Sequence, residues 1–258
     1  MTTARSEPLR SRSARTRGTD EEISHLGLLA VDTYNVSETR TAASPSSSRT
    51  TVKRHNERGN YDRAVLNTIL DEGLVCHVGF SEGDTTYVLP TGYARLDDVL
   101  YVHGAAANHM LAALARAAQA CVSVTLLDGV VLARASFSHS MNYRSAVIFS
   151  VGHEVEDQAE KLLAMNALVE HIVPGRTRDS RPPTPEELRA TLVVRLPIEE
   201  FSVKIRVGPP IDKAEDHDLP IWAGVIPLQM TSSPAVADPG LIAGLDVPSY
   251  AADYPVRG

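Results

Sequence analysis

The chain has 258 residues and a formal net charge of −7 at neutral pH, long enough for one large domain or two small ones. No basic stripe offsets that charge, which argues against a general nucleic-acid binder. The two cysteines, Cys76 and Cys121, lie inside apolar runs and read as buried free thiols, so a disulfide scaffold is not expected. No apolar run reaches the roughly 18 to 20 residues that span a bilayer, and the opening residues lack the apolar core of a secretory signal. That opening is rich in Arg, Ser and Thr, as an organelle transit peptide is, but Glu7, Asp20, Glu21 and Glu22 count against one. The expectation is a soluble, cytoplasmic protein with no nucleic-acid or membrane partner.

Residues 1–52 are too polar to pack and read as a flexible arm with one apolar patch, Leu26 to Val31. The globular domain is expected over 53–228, followed by a Pro/Gly-rich C-terminal tail, 229–258. "NYDRAVLNTILDEG" predicts a helix with Asp62 as N-cap, Leu66, Ile69 and Leu70 as its buried stripe, and Gly73 closing it. Leu74 to Phe80 and Thr85 to Leu89 form a hairpin through "SEGD"; Pro90 is then permitted at an edge or a bulge. Tyr93 to Arg95 and Val99 to His103 form a second hairpin. Gly104 to Asn108 is a turn of small residues opening the helix "NHMLAALARAAQ", and its free N–H groups could approach an anion. Ala120 to Leu127 and Val130 to Phe137 pair through an Asp128-Gly129 turn.

The next stretch, Phe137 to Gly152, starts polar and becomes apolar. Tyr143, Ser145, Val147 and Phe149 share one strand face, with Arg144, Ala146 and Ile148 on the other. An arginine at the start of a buried strand needs an anionic partner, either a carboxylate (Glu154 or Glu156 are in reach) or a ligand phosphate. Asp157 caps a helix running to Val173, with Leu162, Met165, Val169 and Ile172 on one face. Thr184, Pro185 and Glu187 make a capping box. Thr191 to Leu196, Phe201 to Val207 and Pro220 to Leu228 complete the strands, and Lys204 and Arg206 share one face of the second. Short strands joined mostly by hairpins predict a mainly β, α+β architecture: an antiparallel barrel with peripheral helices.

The chemistry readable from residues alone is limited. No dinucleotide or triphosphate fingerprint is present, nor the Gly-x-Ser-x-Gly elbow of a serine hydrolase. None of the nine histidines has zincin spacing. His103, His109 and His139 could converge on a metal, and one histidine, His103 or His109, could ligate a haem. The barrel, the Ala105–His109 turn, Arg144 and the Lys204/Arg206 pair would suit a phosphorylated ligand with a flat apolar part.

Five motifs in one order, "RGNYDRAVLNTILDEGLVCHVGF", "YVHGAAANHMLAAL", "CVSVTLLDGVVLARASFSHSMNYRSAVIFSVG", "EKLLAMNALVEHIVPGR" and "KIRVGPPID…LPIWAGVIPL", resemble the pyridoxamine 5'-phosphate oxidase-like superfamily. Within it they are most similar to the flavin-nucleotide-binding branch related to nitroimidazole-resistance proteins, over about residues 53–228. The resemblance implies a split antiparallel β-barrel of the FMN-binding type that forms a homodimer, with flavin in clefts between subunits. By resemblance, Pro90, Thr91 and Tyr93 pass the flavin ring, and His103, Asn108 and His109 lie at its phosphate. Asn142, Arg144 and Ser145 line the cleft, and Lys204, Arg206 and Trp222 complete it, in part for the neighbouring subunit. His103 and Tyr143 are the implied catalytic residues. His109 stands where relatives often carry a cation. The implied function is an FMN-dependent oxidoreductase of a small molecule, nitroreductase-like or a tailoring enzyme. The alternative is a non-catalytic flavin- or haem-binding protein, and FAD or a deazaflavin are further cofactor options.

Overall fold

The structure is a computed structural model, and it describes residues 43–255; most of the N-terminal arm, including Leu26 to Val31, lies outside them. The chain runs β1 (Gly59–Asn60), α1 (Arg63–Glu72), β2 (Val75–Glu82), β3 (Thr85–Gly92), β4 (Ala94–Leu96), β5 (Val99–Ala105) and α2 (His109–Ala115). It continues through β6 (Gln119–Leu132), β7 (Ser140–Val151), β8 (His153–Glu154), α3 (Gln158–Ile172) and α4 (Pro185–Ala190). Then come β9 (Thr191–Pro197), β10 (Glu200–Arg206), β11 (Gly224–Pro227) and α5 (Ser249–Ala252). One sheet has the order β1-β10-β7-β6-β2-β3, with β11 also on β6; the other is β4-β5-β9-β8.

The two sheets enclose one apolar core, and every strand pair is antiparallel. Val78, Val122, Val124, Ala146 and Ile148 meet Leu100, Val102, Val194 and Leu196 across it, and Leu66, Ile69 and Leu70 of α1 close one end. Burial of this apolar surface is the main driving force of the fold. Val122 sits opposite Ile148 and Val124 opposite Ala146, so β6 and β7 present one apolar face together.

Local signals in the sequence behave as expected. Asp62 Oδ1 accepts from Ala64 N at 2.7 Å and Asp157 Oδ1 from Glu160 N at 2.8 Å. The capping box closes, with Thr184 N donating to Glu187 Oε2 at 2.7 Å and Glu187 N to Thr184 Oγ1 at 3.2 Å. Pro90 is tolerated because β3 is the edge of its sheet.

Other expectations are corrected. Asp128-Gly129 is not a hairpin turn: β6 runs through it with a bulge between Leu127 and Gly129, and the turn to β7 comes after Leu132. Two partners hold the bulge: Asp128 receives Arg144, and β11 pairs with Gly129 to Leu132 on the free side. The helix after Gly104 is seven residues, because Ala117 takes a left-handed conformation (φ 62) that turns the chain into β6. On α3 the buried residues are Lys161, Ala164 and Leu168, one position back from the expected stripe; of that stripe Met165 still packs, partly buried, against the core, while Val169 and Ile172 are exposed. There the small Ala164 fits over Tyr101, Val155 and Val193, while the buried Lys161 ammonium donates to Leu188 O at 3.2 Å, capping the end of α4. The last strand is only Gly224–Pro227. Gly73 ends α1 with ordinary backbone angles (φ −70), so its role is steric. A Cβ there would stand 2.6 Å from Val124 Cγ1 and 2.8 Å from Tyr93 Oη.

Gly152 is tighter still, since a Cβ would lie 2.5 Å from the backbone oxygen of Leu114. Gly152→Ala is therefore expected to destabilise the chain by about 1–3 kcal/mol in denaturant unfolding. Gly92→Ala, with nothing within 4 Å of the new methyl, is the matched control and should be close to neutral.

Candidate functional site

The candidate residues fall into separate groups. Arg144 points from the inward face of β7 toward α1 and the β6 bulge. Its Nη2 donates to Glu72 Oε1 at 2.8 Å and to Asp128 Oδ1 at 2.8 Å, its Nε reaches Asp128 Oδ2 at 3.0 Å, and its Nη1 also bonds Glu72. Glu72 first, then Asp128, raise the guanidinium pKa further above its already high value. The anionic partner that the sequence demanded is thus a pair of internal carboxylates, neither Glu154 nor Glu156. All three side chains are about one-fifth exposed.

Arg206 is also internally engaged. It is 5% exposed, its Nη1 donates to Asn142 Oδ1 and to Gly208 O (3.0 Å), and its Nη2 donates to Pro209 O at 2.9 Å. Asn142 Nδ2 donates to the same Gly208 oxygen at 3.2 Å, so the two side chains clamp the turn after β10. Burial, and then the nearby Arg58, pull the Arg206 pKa down. Tyr143 pairs across the strands with Arg206 and Ser145 with Lys204, which puts all four on the outer face of the large sheet. Ser145 Oγ donates to Lys204 O at 3.2 Å, and Lys204 Nζ to Arg54 O at 3.0 Å.

The remaining residues are dispersed. Pro90 and Thr91 stand on the β3 edge. Tyr93 is fully buried and its hydroxyl donates to Leu70 O at 2.7 Å, so it belongs to the core. Asn108 caps α2 through Leu111 N at 3.1 Å. His109 Nε2 lies 2.5 Å from Glu82 Oε2, and its ring packs on Tyr87 and Phe80. This contact, chiefly, lowers the Glu82 pKa. Trp222 is 67% exposed, its ring over Gly224. His103 lies on β5 opposite Val193; among the described residues neither ring nitrogen has a hydrogen-bond partner. His103 is an exposed residue, yet desolvation by the atoms packed around it lowers its pKa below the usual imidazole value, which favours the neutral ring near pH 7. His139 Nδ1 contacts Ala135 O at 3.1 Å.

One feature was missed by sequence reasoning. A groove of about 710 Å³ crosses the outer face of the large sheet, lined by His77, Gly79, Val88, Cys121, Ser123 and Phe149 among others. Alternation along β2, which buries Cys76 and Val78, could have placed His77 on this face. Arg49 borders the groove, its guanidinium 4.8 Å from the Phe149 ring centroid and paired with Glu200. Burial raises the Cys121 thiol pKa and pushes that of Cys76 up to about 12, so both stay protonated.

This architecture, two antiparallel sheets sharing one core with helices at the periphery, is a split barrel. A family model described as "Pyridoxamine 5'-phosphate oxidase" matches residues 62–205, and the chain belongs to that family. The chain is similar to the flavocytochrome Anf3 from Azotobacter vinelandii, with 35% identity and a TM-score of 0.75 over 80% of this chain and 95% of that one. It is also similar to the FAD and heme binding protein from Mycobacterium smegmatis, with 36% identity and a TM-score of 0.72 over 75% and 95%. No curated protein sequence matches.

Removing Arg144 leaves two carboxylates facing each other at the mouth of the barrel. Arg144→Ala is expected to cost about 2–3 kcal/mol in denaturant unfolding, below the value for a fully buried pair because of the partial exposure. Adding Glu72→Gln should recover part of the loss.

Proposed function

We propose that this chain is a redox protein that carries a flavin and a haem and acts as a homodimer on a small-molecule substrate. The observation that carries this reading is identity of at least 35% across three quarters or more of the chain to two structures, one described as a flavocytochrome and one as an FAD and haem binder. The flavin read here is FAD, in place of the FMN that the sequence resemblance implied.

His103 fits the role of haem ligand. A metal takes the neutral imidazole, and a ring nitrogen without a protein partner is free to bind. His109 fits less well, because Glu82 occupies its Nε2. Tyr143 and Ser145, with Thr125 opposite Ser145, offer a flat outer face of polar tips for a planar ring. Bound flavin and haem would supply electron transfer in pairs and singly. This chain's part is to hold each ring, exclude water and keep His103 neutral. Val75, Val88 and Leu127, 44–62% exposed on or beside that face, give a second copy apolar surface to cover.

The test is an absorption spectrum of the purified protein with mass spectrometry of whatever heat releases. Flavin bands, a Soret band and released FAD are expected. His103→Ala should lose the Soret band and keep the flavin, while His109→Ala keeps both. A protein that is colourless and takes up neither group on addition would refute the reading. Haem loss on His109→Ala alone would move the ligand.

A further inference from the structure

The large sheet ends at β1, and the loop that leads into it, residues 53–58, gathers positive charge on an otherwise acidic chain. Lys53, Arg54 and His55 are exposed, Arg58 is partly so, and Gly59 pairs with Lys204 of β10. Among the described residues Lys53, Arg54 and Lys204 have no carboxylate within salt-bridge distance. The loop's single carboxylate, Glu57, is shared between His55 at 3.2 Å and Arg58 at a loose 3.6 Å.

The loop is held in place. Lys204 Nζ donates to Arg54 O at 3.0 Å, Val52 N to the Tyr61 hydroxyl at 2.9 Å, and Arg58 N to His55 O at 3.0 Å. His55 adopts a left-handed backbone (φ 54), costly for a residue with a side chain. Arg58 is close enough to depress the pKa of Arg206, so the cations act on one another. Like charges ordered side by side repel unless an anion joins them. Lys204 keeps two N–H donors beyond the one spent on Arg54, while Arg206, 5% exposed and held by Asn142, Gly208 and Pro209, adds field without contact.

We propose that this edge binds the phosphate or pyrophosphate group of a nucleotide, through Arg54, Arg58 and Lys204. Arg144 and Arg206 are consumed by internal partners, which leaves this edge as the built cationic surface beside Tyr143 and Ser145. The chemistry is common to the pyrophosphate of a bound flavin dinucleotide and to that of a nicotinamide dinucleotide bringing electrons. The site does not depend on the haem and flavin reading.

The test uses the full-length protein as purified. Flavin content is read from the spectrum, and inorganic pyrophosphate and NADPH are titrated by calorimetry in low salt. The parent is compared with Arg54→Gln and with the double variant Arg58→Gln/Lys204→Gln. Among the described residues the exposed Arg54 side chain has no hydrogen-bond or ion-pair partner, so its variant is expected to keep the fold intact. The proposal expects each variant to lose most of its flavin, or to bind pyrophosphate and NADPH about tenfold more weakly. Loss of flavin assigns the edge to the cofactor; loss of NADPH affinity with flavin retained assigns it to the donor. Flavin content and both affinities equal to the parent's in both variants would overturn it. A protein without flavin or haem that still binds pyrophosphate here separates this proposal from the functional reading.

Discussion

An arginine on the inward face of a central strand cannot be left alone, and much of this molecule is arranged around that requirement. Arg144 draws the last residue of α1, Glu72, and the bulged residue of β6, Asp128, to one point. The cost of desolvating these charges is met only while all three remain together. The helix is thereby anchored to the sheet where Gly73 lets the chain turn tightly beneath Val124 and Tyr93. The bulge that delivers Asp128 also frees the far half of β6 to take β11 along its other side.

This use of charge decides where chemistry can happen. Two of the three cations expected to meet a ligand are consumed in holding the barrel mouth and the turn after β10. Among the described residues, Lys53, Arg54 and Lys204 at the β1–β10 edge have no carboxylate partner, and His103, whose ring has no hydrogen-bond partner, lies on the other sheet. In one protomer the candidate residues therefore form separate stations on different faces. A homodimer in which two faces meet is the arrangement proposed above, and the exposed apolar positions around the outer face fit it.

Signals that act within a turn or two were legible in the sequence. The caps at Asp62 and Asp157 and the Thr184/Glu187 box need only neighbours a few residues away. The alternation of β7 also holds, because the core demands Ala146 and Ile148 whatever their partners. Asp128-Gly129 misled for the same reason that it is usually informative: the dipeptide favours a tight turn locally. Here an arginine 16 residues later and the much later strand β11 overrule it. The α3 stripe failed differently. Its apolar residues are spread around the helix, so the fit of the small Ala164 against Tyr101, Val155 and Val193, with Met165 beside it, sets the rotation.

The sequence by itself determined the class of fold, the inward residues of α1 and β7, the starts of α1 to α4 and, through ordered motifs, the family. Each of these depends on periodicity or on short-range hydrogen bonds, both written along the chain. Only the tertiary structure decided which charges are spent and which are free. The partners of Arg144 lie 16 and 72 residues away and that of Lys204 lies 150 away, and such pairings exist only once the sheet has assembled. A cation's availability to a ligand is a property of that assembly, because internal oxygens compete for it, carboxylates at Arg144 and amide or carbonyl oxygens at Arg206 and Lys204, and folding alone sets their distance.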